Sequence, residues 1–182
     1  MRHVILIGFG LLLSAAAASP PTIASLLAGT AGRWQGELQY RDYQSNKWEG
    51  LPVKVAIVAQ PDALTTVRTA EFDDGPTTGL VWITTLSTID PATGKESYAS
   101  ARKGKPFESG SAQLTLPSPP RDATHWTIVA TDTRNDGNGM AKVRETTVRD
   151  GARMTTQKDV DPIGDGKDEW LPRNRTALTL IE

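Results

Sequence analysis

From Thr30 onward the chain is written in period two. The stretch from Thr30 to Tyr43 sets Trp34, Gly36, Leu38 and Tyr40 on one face and Arg33, Gln35, Glu37, Gln39 and Arg41 on the other, the pattern of an antiparallel strand with one buried face. The alternation returns over 51–60, 63–73, 79–89, 96–103, 107–116, 123–132, 140–149, 152–160 and 169–181. Turn chemistry separates these segments: Pro61-Asp62, Asp90-Pro91-Ala92-Thr93-Gly94, Pro117 to Pro120, Asn135 to Gly139, and Asp150-Gly151, a strong two-residue hairpin signal. Short turns between successive strands make an up-and-down meander, and closing it end to end removes the exposed edges. The expected fold is all-β, a single antiparallel up-and-down β-barrel of about ten strands. A short helical turn precedes it, capped by Thr22, running through Ile23, Ser25, Leu26 and Leu27, and ended by Gly29.

The first residues are of another kind. Arg2 and His3, an apolar run from Val4 to Leu13, and small residues ending at Ala16, Ala17 and Ala18 spell a secretory signal peptide over 1–18, cleaved near Ala18. The apolar run is too short to span a bilayer core of roughly 30 Å, so no stable membrane anchor is expected. The barrel domain is then 19–182, secreted or periplasmic. Loss of Arg2 leaves 19 basic residues against 21 acidic, a net charge of −2. The nearest thing to a basic patch, Arg102, Lys103 and Lys105, is too small for a polyanion, so no nucleic-acid partner is expected. The chain contains no cysteine. Stability therefore rests on packing, and thiol catalysis and thiolate metal sites are excluded.

Gly32-Arg33-Trp34 resembles the glycine-any-tryptophan signature near the start of lipocalins. Leu26-Leu27-Ala28-Gly29-Thr30, followed by Gly32, Trp34, Gly36 and Tyr40, resembles the opening of nitrobindin-type barrels, although Arg41 stands where those have proline. Both groups are calycin-like barrels. The resemblance implies a closed barrel with an internal cavity. In lipocalins it also implies an arginine stacked over the tryptophan, for which Arg173 and Arg175 are candidates that period two turns outward if Leu178 and Leu180 face in. In nitrobindin-type barrels it implies a histidine holding haem iron. The residues themselves explain the motif: Gly36 admits a close neighbour to the strand, and Trp34 plugs one end of a tapered barrel.

No catalytic or metal motif stands out. His125, the single histidine after the leader, shares a face with Thr127 and Thr131 while Trp126 and Ile128 share the other, so the pleat turns it outward and no haem or other cofactor is expected. The acidic loop Asp161 to Asp168 fails the calcium-loop template, with Ile163 at a ligand position, and the Asp132 to Gly139 loop fails with Arg134 there. Without an inward histidine no Ser-His-Asp arrangement can be built, so no catalytic residue is assigned. The informative set is aromatic. Trp34, Tyr40, Trp82, Tyr98 and Trp126 lie on apolar strand faces, as plain core or as the lining of a pocket, and Arg144 stands with Arg68 and Glu145 as an inward polar group able to orient a ligand.

The leading expectation is an exported barrel that binds a small apolar or amphiphilic molecule inside. The polar outer faces of the first and seventh strands leave no evident outer apolar patch. The alternatives are an inhibitor-like envelope protein that binds another protein through its surface, a haem-binding nitrobindin-type barrel, and an enzyme using the cavity.

Overall fold

The computed structural model describes residues 20–42, 45–137 and 139–181; the leader expected over 1–18 lies outside them. The order is α1 (Ile23–Ala28), β1 (Gly32–Asp42), β2 (Lys47–Ala59), β3 (Thr65–Asp73), α2 (Gly75–Thr78), β4 (Leu80–Asp90), β5 (Lys95–Arg102), β6 (Glu108–Thr115), β7 (His125–Asn135), β8 (Met140–Asp150), β9 (Arg153–Pro162) and β10 (Leu171–Leu180). Each strand pairs antiparallel with its chain neighbours, and β1 pairs with β10, so the ten strands close into a barrel. The expected fold class is therefore the observed one. Thr22 caps α1 through a reciprocal pair with Ser25, which satisfies two of the helix's free amides.

The register fixes which residues face in. Trp34 pairs with Val55 and Leu180, Gly36 with Val53 and Leu178, and Leu38 with Leu51. Gly36 is required there, because a Cβ would lie 1.8 Å from the Ala177 carbonyl oxygen. The two strands meet more closely than any side chain allows.

One end of the barrel is sealed. Leu26 of α1 packs with Ile89, Leu114, Trp126 and Ile128, and Trp34 lies with Val53, Val55, Ile57, Met154 and Leu178. Trp34 donates from Nε1 to the Thr30 carbonyl at 2.9 Å. The Arg149 guanidinium stands 4.8 Å from its ring centroid and donates to the carbonyls of Gly29 and Gly151, each at 2.9 Å. The arginine over the tryptophan is thus Arg149 of β8, neither Arg173 nor Arg175. Arg175 lies on the outside, over the Trp48 ring at 4.5 Å. Sequence alone hides this, since Arg149 reaches Trp34 across the barrel floor from a strand that does not pair with β1.

Two strands run well past their expected limits, β2 at its start and β7 at its end. β2 starts at Lys47, where Trp48 and Gly50 extend the ladder with β1. β7 runs to Asn135, pairing through Arg134 with Ala141, so residues expected in a loop belong to the wall.

Candidate functional site

The unsealed end is a mouth formed by the turns after β1, β3, β5, β7 and β9. Inward-facing residues there make two adjoining hollows. One, of about 280 Å³, is walled by Leu38, Tyr40, Phe72, Val81, Ile83 and Arg102. The other, of about 270 Å³, shares Ile83 and Arg102 and adds Ser100 and Glu108. The result is an apolar collar edged by charges, Arg102 and Asp74 at the first hollow and Arg102, Lys105 and Glu108 at the second. Across the mouth Asp136, after β7, pairs with Lys158 and with Arg173, the latter at 3.2 Å, and this side is drawn shut.

Below the collar the lining turns polar. Thr85 and Ser87 of β4, Thr147 of β8, Thr156 of β9 and Thr176 of β10 follow the inward phase set by Ile89, Arg149, Met154 and Leu178, yet all keep accessible surface. Inward side chains that still touch open space mean that the middle of the barrel is hollow. Two cross-strand hydroxyl pairs, Thr85 with Ser100 at 3.1 Å and Thr147 with Thr156 at 3.0 Å, tie this lining to itself.

A charged group crosses the lumen. Arg134 of β7 donates to Asp132 at 2.6 Å and to Glu145 of β8 at 2.5 Å. Burial pulls its pKa down, but Glu145 and Asp132 outweigh that and hold it above the usual arginine value. Tyr98 of β5 lies flat over Gly110 of β6, where a Cβ would fall 2.6 Å from its hydroxyl oxygen, and accepts a long hydrogen bond from Arg134 at 3.4 Å. Burial raises the Tyr98 phenol. It also raises the Glu96 carboxyl, which a hydrogen bond from Ser87 partly offsets. Arg68 of β3 lies deep in the wall, where burial pushes its pKa down and Glu145 opposes the shift.

The six residues expected to line a pocket separate. Trp34 and Trp126 face inward in the packed floor, 1 % and 4 % exposed, so they are core beneath the lumen. Tyr40 stands at the rim, where burial raises its phenol, and Tyr98 lines the lumen. Trp82 and Arg144 require correction. Trp82 is 53 % exposed on the outer face of β4, because Val81, Ile83 and Ile89 carry the inward phase. Both faces of this strand are apolar, and its alternation alone does not choose between them. Arg144 also points out: it meets Asp159 at 3.0 Å and covers the Trp170 ring at 4.4 Å. Its neighbours Val143 and Glu145 hold the inward positions.

The residues missed were within reach of the pattern. Continuing period two from Trp126, Ile128 and Ala130 leads to Asp132 and Arg134, and ending the strand at Asp132 cut Arg134 off.

His125 sits on the outer face, with Nδ1 2.8 Å from Asp122 and Nε2 3.3 Å from Asp150. It does not fit a haem ligand in the lumen, and no other described residue is a histidine. The acidic segment is engaged differently: Lys142 of β8 pairs with Asp161 of β9 at 2.8 Å and with Asp168 of the loop that follows at 3.4 Å. Among the described residues no cluster of three metal-ligating side chains occurs.

The fold and the lumen together define a closed ten-strand antiparallel barrel, hollow and polar in its middle. Its solved neighbours include Rv2717c from M. tuberculosis, whose crystal structure superposes with a TM-score of 0.55 at 12 % identity over 89 % of this chain and 100 % of that one. At that identity the likeness is one of fold. No protein-family model matches the chain, and no curated protein matches it.

Proposed function

We propose that the protein is an exported binding barrel that takes a small amphiphilic molecule through its mouth into the lumen. The observation that carries this reading is the grading of the interior, from a sealed floor through a polar, accessible middle to a collar built on Leu38, Phe72, Val81 and Ile83. A ligand with an apolar body and a polar end matches that order better than a purely apolar one, since hydroxyls and charges of the middle rows need polar company. Export rests on the basic, apolar and small-residue segments of 1–18. The lipocalin and nitrobindin-type resemblance around Trp34 is in keeping with a binding role, with Arg149 in the place of the stacked arginine.

The test is a fluorescent amphiphilic dye titrated against the protein and against Ile83→Trp, which fills both hollows at once. Micromolar binding lost in Ile83→Trp, with the circular dichroism unchanged, is the expected result. Equal binding by both proteins would place the dye elsewhere and remove the basis of the proposal.

One observation favours a second reading, a surface that docks another protein. Contrary to expectation, the outside carries an apolar strip: Val58, Val67, Leu86 and Ala99 fall in one row across β2 to β5, and beyond Thr84 on the same face of β4 come Trp82 and Leu80, both more than half exposed. Retention of dye binding alongside loss of a partner in Trp82→Ala would give the surface a role of its own.

A further inference from the structure

We propose that Arg68 anchors the ligand, and that the ligand is an amphiphilic monocarboxylate bound head-first: carboxylate on the Arg68 guanidinium, apolar body along the collar. The inference rests on the lumen-binding reading and gives it a substrate class.

Along the inner face of β3 the residues run from the mouth as Phe72, Ala70 and Arg68, so the guanidinium lies beneath the apolar collar. Its cross-strand neighbours are Ile57 on one side and Thr85 on the other. The other cations of the interior are engaged, Arg134 with Asp132 and Glu145, and Lys158 with Asp136. Arg68 has no hydrogen bond or ion pair among the described residues; the opposite charge it feels is Glu145, whose Oε1 Arg134 already holds at 2.5 Å. It is enclosed by protein yet keeps accessible surface, which a guanidinium facing a hollow reconciles.

A buried arginine presents five donors, and leaving them unmade is costly. A carboxylate satisfies two at once through parallel hydrogen bonds. Three acidic side chains, Glu96, Asp132 and Glu145, share this lumen, and they disfavour a second negative charge beside the first. That selects a monoanion over a phosphate monoester. The collar above is built on Leu38, Leu51, Phe72, Val81 and Ile83, with Arg102 and Asp74 at its edge, and its apolar wall suits a hydrocarbon body pointing back to the mouth.

The experiment is isothermal titration of the full mature chain at neutral pH with dodecanoate and with dodecan-1-ol, which share a tail and differ in charge. The expected result is dodecanoate binding about tenfold tighter than the alcohol, equivalent to about 1.4 kcal/mol. Arg68→Met should erase the preference while the alcohol still binds. Arg68→Lys, which keeps the charge and loses the fork, should retain part of it, and decides the matter if Arg68→Met does not fold. Arg102→Met should leave the ratio of the two affinities in place. Equal binding of acid and alcohol, a preference that survives in both Arg68 variants, or one lost in Arg102→Met would overturn the assignment. If neither amphiphile binds the unaltered protein, the lumen-binding reading itself falls.

Discussion

Trp34 is held from three directions, by the Thr30 carbonyl on its ring nitrogen, by Arg149 over its face and by the packed floor around its edge. Trp34→Ala should cost on the order of 3 to 5 kcal/mol, the range for deleting a buried aromatic, read from the urea midpoint. A loss below about 1 kcal/mol would remove the tryptophan from the floor. Arg149 has no acidic partner among the described residues. It neutralises nothing and instead serves two backbone carbonyls and a ring, so burial lowers its pKa without any compensation. Gly36 is as constrained as either. Gly36→Ala should cost about 3 kcal/mol, the upper part of the overpacking range, because the obstructing atom is a β10 carbonyl and not a movable side chain.

The strands were legible because nearly all of them bury one face and wet the other, and because Asp150-Gly151 and its counterparts mark the turns. What resisted was phase where both faces carry apolar groups, as on β4, and length where polar residues continue inward, as in Asp132 and Arg134 of β7. A polar lumen looks like a loop to a pattern that equates inside with apolar. The start of β7 supplies a pH test. Asp122 accepts hydrogen bonds from His125 first, then from the amide and hydroxyl of Thr124, and these hold its carboxyl well below the ordinary range. A depressed folded-state pKa adds stability that is complete above the unfolded value, about 3.9, and is lost as pH falls beneath it. Between pH 4 and pH 2 the urea midpoint of Asp122→Asn should therefore fall less steeply than that of the unaltered protein; parallel curves would show that the contact carries no such linkage. Inside the barrel, Arg134→Leu leaves Asp132 and Glu145 facing each other without their cation. A loss of about 2 kcal/mol is expected, below the cost of breaking a fully buried pair because Glu145 keeps 37 % of its side-chain surface.

At the scale of the molecule, the outer strip and the lumen are separate surfaces divided by one sheet thickness. Trp82 and Ile83 are consecutive residues that face opposite ways. Trp82→Ala should leave dye affinity unchanged, and a tenfold loss would contradict the outward placement of that ring. The single histidine among the described residues lies outside as well, so a Soret band on reconstitution with haem should be insensitive to His125→Ala. Protein recovered from the envelope of its host should begin near Ser19, and an intact mass that retains Met1 would end the export proposal.

Closure between β1 and β10 also sets a timetable. Trp34 finds Val55 early in synthesis, but its other partner, Leu180, arrives only with β10. A polypeptide emerging in order can zip its hairpins one after another and still hold no barrel until the final strand is free. Contacts this distant in sequence slow the approach to the native state. Under the export proposed above, that delay keeps the unfinished sheet open while translocation proceeds. The same logic makes truncation at residue 170 an all-or-none event, giving an aggregating chain with two bare edges in place of a stable nine-strand version.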